Sequence, residues 1–63
     1  MSNDMPIGFA MSLVQNKNAL TTYVNLSNSE KEEINIYIQN SKTGLEAKER
    51  IDNILIKLSN NSF

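Results

Sequence analysis

No cysteine, histidine or tryptophan occurs in this sequence of 63 residues, which has a single proline and two glycines. Without thiols the chain cannot be stapled by disulfides. Without thiols and imidazoles it lacks the ligands of structural zinc and of nearly all transition-metal sites, so no metal and no cofactor is expected. Gly8 and Gly44 stand alone, which excludes a glycine-rich loop of the kind that cradles phosphates. Serine is plentiful, yet histidine, the usual base for a serine nucleophile, is absent. No Ser-x-x-Lys motif with its further partners takes its place. No catalytic residue is therefore assigned, and the chain is not expected to be an enzyme.

Charge of one sign is also scarce. Six basic and seven acidic residues give a formal net charge of -1, and they are spread along the chain. A nucleic-acid binder needs clustered Lys and Arg to displace counterions from phosphates. The longest apolar stretch, Met5 to Val14, falls well short of the ~20 residues of a membrane span. The opening Met1-Ser2-Asn3-Asp4 has no positive n-region, and no small-residue cleavage site follows the apolar stretch. A cytoplasmic location is the resulting expectation. A domain near 60 residues buries only about 60% of the surface of its unfolded chain, so its stability is marginal. Support from self-association or from a partner is expected.

What is present is helical pattern. Pro6 suits the first turn of a helix, Asp4 can cap it, and a first helix is expected over Met5 to Gln15. It carries two apolar stripes, Ile7, Met11 and Val14 on one side and Phe9 with Leu13 on the other, with Ser12 as the main polar interruption. A helix apolar all round is buried all round. In so short a chain three further helices can fail to cover both stripes, which leaves Ile7, Met11 and Val14 as either core or candidate interface. Met5 and Met11 favour an interface, because thioether side chains adapt to varied surfaces.

Gln15 to Asn18 is a polar joint that can supply an Asn N-cap, after which Leu20, Tyr23 and Val24 recur at helical spacing. Thr21, Thr22 and Val24 are β-branched, and Leu20 to Val24 also alternates like a strand, but a lone strand could not satisfy its backbone. Ser27-Asn28-Ser29-Glu30 is a capping box that opens a third helix with Ile34, Tyr37 and Ile38 as its buried stripe and an end near Asn40. Thr43-Gly44-Leu45-Glu46 is a second capping box, and it opens a fourth helix with Ala47, Ile51, Ile54, Leu55 and Leu58 on one face. Glu46 with Arg50 and Lys48 with Asp52 add i, i+4 pairs. Ser59 to Phe63 reads as a frayed tail. The expectation is an all-α fold, a compact bundle of about four short helices in one domain over residues 1–63, with an ordered core over about 5–58.

Two constellations invite functional readings. Glu30, Glu32 and Glu33 could suggest a hard-cation site, but an EF-hand loop needs alternating oxygen ligands and a turn glycine, and a dipole-favoured first turn explains them. The helices joined at Ser27 could suggest a helix-turn-helix, but its recognition helix would begin with three glutamates facing phosphate.

From Leu26 onward, Leu26-Ser27, Ser29, Lys31, Tyr37-Ile38, Ser41-Lys42-Thr43 and Arg50-Ile51 resemble the C-terminal helical segment of the YdeI family, also called OmpD-associated or bacteriocin-protection-like proteins. There the segment is a short helical appendage after a larger domain. The family is richer in arginine, and Ala47 and Glu49 stand here at positions that are usually basic. The run Met5 to Leu13, followed by Asn16 and Ala19, resembles small stand-alone proteins of Gram-positive bacteria with a P-x-G-F-x-M-x-L start. Both resemblances imply an all-α protein of the bacterial cytoplasm and add no active site.

The leading expectation is a small interaction module that uses Ile7, Met11 and Val14 to bind another protein or itself, including as a homodimer, by docking a helix in a groove. The alternative is a nucleic-acid-associated regulator in which Lys42, Lys48, Arg50 and Lys57 approach phosphates.

Overall fold

A computed structural model describes residues 5–61 of the chain. Four helices follow one another: α1 (Ile7–Gln15), α2 (Lys17–Val24), α3 (Asn28–Gln39) and α4 (Gly44–Ser59), with no strand among the described residues. The fold is all-α, as the periodicity implies, and the stretch around Thr21 and Thr22 is helical. Its radius of gyration of 10.7 Å matches the roughly 10.6 Å of a folded chain of this length.

The connections explain where each helix begins. A single residue, Asn16, separates α1 from α2; its extended backbone breaks the helix while its side chain accepts a hydrogen bond from the Ala19 amide at 3.1 Å. That is an N-cap, which satisfies one of the donors every helix leaves unpaired at its start. Ser27 and Glu30 form the complete reciprocal box at the start of α3: the Glu30 amide donates to Ser27 Oγ at 3.1 Å and the Ser27 amide donates to Glu30 Oε1 at 2.9 Å. At α4 only half of the expected box forms. The Glu46 amide donates to Thr43 Oγ1, but the Glu46 carboxylate takes the amide of Lys42, one residue before the cap.

Two termini differ from expectation. The first helix starts at Ile7, with Pro6 as its N-cap residue at ψ 135°, so Pro6 precedes the helix and does not occupy its first turn. The expected cap Asp4 lies outside the described residues. At the other end, helical geometry runs through Ser59, which is no tail. Its hydroxyl accepts a hydrogen bond from Asn16 Nδ2 at 3.0 Å, and Asn61 closes the helix at φ 54°, a left-handed position that asparagine tolerates.

Each helix contributes one buried i, i+4 pair to the core: Phe9 and Leu13, Ala19 and Tyr23, Ile34 and Ile38, Ile54 and Leu58. Such spacing places both members on one face, and the four pairs meet around α4, which packs against each of the other three helices. Phe9 and Tyr23 meet edge to face, ring centroids 5.5 Å apart, the arrangement their quadrupoles favour. Met5, Leu20, Leu26, Ile51 and Leu55 pack around this cluster half-buried. Met5 thus packs at the edge of the core. Val24 and Tyr37, expected in buried stripes, are exposed; the inward pairs of their helices are Ala19 with Tyr23 and Ile34 with Ile38.

Candidate interaction surface

Helix α1 packs against α2 and α4 through Phe9 and Leu13. On the opposite side, the large apolar residues are exposed. Ile7, Met11 and Val14 are 78%, 59% and 76% exposed, and their i, i+4, i+7 spacing lines them up along one face. These three side chains lie at the surface and not in the core. No acidic or basic residue lies within α1. An uncharged helix with a row of exposed aliphatic side chains differs from isolated surface apolar residues, which are ordinary.

Beside the stripe, α1 and α4 enclose an open groove of about 480 Å³ whose lining includes Gly8 and Ser12 of α1 and Ala47, Lys48, Ile51 and Asp52 of α4. Gly8 lies on the side of α1 that faces Ile51 of α4. A Cβ placed on it would lie 3.5 Å from Ile51 Cδ1, an ordinary contact distance. Lys48 Nζ and Asp52 Oδ2 pair across the groove rim at 3.4 Å with both side chains largely in water, a geometry worth little energy.

Of the residues proposed for phosphate contact, Lys42 lies between α3 and α4, and Lys48, Arg50 and Lys57 lie on α4. Arg50 is turned inward along its own helix and toward the end of α3: one guanidinium nitrogen donates to Glu46 Oε2 at 2.8 Å, another donates to the Tyr37 carbonyl at 2.6 Å, and the group lies 4.6 Å from the Tyr37 ring centre. This clasp ties the α3 C-terminus to α4. The i, i+4 pairing of Glu46 with Arg50 was visible in the sequence, whereas the Tyr37 partner, across the connecting loop, carried no local signal. Glu30 of the acidic cluster is spent on its cap, and no group of acidic residues able to hold a metal ion occurs among the described residues.

One buried group titrates. Tyr23 is held above the ordinary phenol range chiefly by burial, partly offset by its hydrogen bond to Asn35 Oδ1 at 3.5 Å. Its hydroxyl faces a cleft that also involves Met5, Asn28, Lys31 and Ile36, with the Lys31 ammonium 5.8 Å from the Tyr23 ring. These contacts join α2 to α3 across a cleft that Glu32 and Asn35 also line.

In comparison with known proteins, no family model, no curated protein and no solved structure matches this chain. Among the described residues, no helix is long and apolar enough to cross a membrane.

Proposed function

We propose that this chain is a small, non-enzymatic helical interaction module of the bacterial cytoplasm that binds another protein or itself through Ile7, Met11 and Val14 of α1. The observation that carries the reading is the outward aliphatic stripe on a helix that holds no charge. An exposed row at this spacing is the pattern by which a helix docks in an apolar groove, where each anchor leaves water only on binding. Arg50, one of the four cations of the nucleic-acid alternative, is engaged by Glu46 and the Tyr37 carbonyl. Kinship to the YdeI C-terminal segment stays a proposal resting on the sequence positions; here its Ser27 and Arg50 have structural work, as a cap and a clasp.

The test compares wild type and Met11→Asp as baits in a native lysate, after circular dichroism shows that the variant folds. Capture of a specific protein, or of further copies of the chain, that disappears with Met11→Asp is the expected result. Identical capture by both baits removes α1 as the docking face.

A further inference from the structure

We propose that α1 is an exchangeable element: two copies of the chain straighten at Asn16 and each inserts its α1 into the place that α1 occupies on the other, giving a domain-swapped dimer. The surface exchanged is the inward one of Phe9 and Leu13, so Ile7, Met11 and Val14 take no part in it. The bend at Asn16 is a break without a breaker. This one residue, at φ -128° and ψ 95°, separates α1 from α2. Neither glycine nor proline occurs from Phe9 to Val24, so no residue there forbids a straight helix. Side-chain chemistry holds the bend instead: Asn16 accepts from the Ala19 amide and donates to Ser59 of α4. The Asn16 amide donates to the Leu13 carbonyl, and the Leu20 amide already donates to the Asn16 carbonyl. Straightening gives the Lys17 and Asn18 amides, at the start of α2, the carbonyls of Leu13 and Val14 as helical acceptors.

The periodicity runs through the bend. Phe9, Leu13, Asn16, Leu20 and Tyr23 recur at spacings of 4, 3, 4 and 3, the repeat that keeps one seam along a continuous helix. All but Asn16 pack in or against the core. A straight helix therefore carries on one face the side chains that the bent pair turns inward.

Helix α1 packs on α2 and α4 with Phe9 and Leu13 buried, and a second copy offers the same surface. Exchange forms these contacts again, Phe9 against the partner's Tyr23 included. The closed and exchanged states then differ by the hinge and by the entropy of association, so protein concentration sets the balance. A short hinge favours exchange. Because Phe9 and Leu13 leave the core on the way, exchange is slow in the folded chain and is established during refolding.

The test refolds the chain from urea at ~1 µM and ~500 µM and reads the mass of the products. The expected result is a dimer, twice the 7.1 kDa of one chain, that grows with refolding concentration. In a dimer of isotope-labelled and unlabelled copies, filtered NOEs should connect Phe9 of one copy with Tyr23 of the other. Asn16→Ala removes a cap that exists only in the bent form, at two hinges per dimer, and should raise the dimerisation constant about tenfold or more. Lys17→Pro should abolish the dimer while the monomer keeps its fold by circular dichroism. Proline suits the first position of α2, holds the residue before it extended as Asn16 is, and cannot enter a straight helix. Met11→Asp should leave the dimer intact. A wild-type chain that refolds as a monomer at both concentrations overturns the proposal, as does a dimer that persists in Lys17→Pro. Phe9–Tyr23 NOEs confined to one copy overturn it too, and this readout on the unsubstituted chain decides the matter if Lys17→Pro does not fold. Loss of the dimer in Met11→Asp assigns self-association to the outward stripe and overturns the exchange while the docking face stands.

Discussion

Truncating Phe9 should nearly unfold the protein, whereas truncating Met11, two residues away on the same helix, should hardly be felt. Phe9 is fully buried, at the centre of the four-helix contact and edge to face with Tyr23, while Met11 is largely in water. Removing a buried phenylalanine side chain costs about 3–5 kcal/mol, of which the lost ring pair accounts for roughly 0.5–1.5. A chain of 63 residues has only about 3–9 kcal/mol of stability to lose. Phe9→Ala therefore consumes most or all of it. Phe9→Leu, which nearly conserves volume, should cost about 1.5 kcal/mol and leave a measurable transition. Met11→Ala should stay within about 0.5 kcal/mol of wild type. Urea unfolding followed by circular dichroism at 222 nm, at a protein concentration low enough to keep the chain monomeric, measures all three. Comparable losses for Met11→Ala and Phe9→Ala would refute the two-sided reading of α1.

Gly8→Ala should stabilise the protein by about 0.5–1 kcal/mol, because a helical glycine costs backbone entropy and the added methyl meets Ile51 Cδ1 at an ordinary 3.5 Å; a lower urea midpoint would show that the helices cannot accept it. Asn16→Ala removes both the Ala19 cap and the donor to Ser59, so a loss of about 1–2 kcal/mol is expected against a smaller one for Ser59→Ala, and a double-mutant cycle should report coupling between them. Tyr23 supplies a pH dependence of known sign. Its phenol is raised in the folded state, so its contribution is fully present below the unfolded value near 10 and is lost as pH rises through the folded value. Stability measured by urea titration should fall above about pH 10, and Tyr23→Phe should flatten that fall.

The helices were legible where capping chemistry and periodicity agreed. The Ser27–Glu30 box and the Ile34/Ile38 and Ile54/Leu58 pairs stand where the pattern put them. The boundaries were less so. Pro6 fits either side of a helix start, and Ser59 is helical because Asn16, far away in sequence, holds it. Within stripes, spacing alone could not tell Ala19 from Val24 as an inward member, nor that Tyr37 falls outside the face of Ile34 and Ile38, since that depends on how each helix rolls against the core. The double stripe of α1 was visible in the sequence, but which stripe faces outward was decided by packing. Phe9 carries the ring that meets Tyr23, so its side turns inward and the aliphatic side is left in water.

The most direct test of that outward face is methyl NMR with a soluble paramagnetic agent, recorded on dilution. At the lowest concentration the Ile7, Met11 and Val14 methyls should relax strongly while those of Ile34, Ile38, Ile54 and Leu58 stay protected; protection of Ile7, Met11 and Val14 at every concentration would contradict the account.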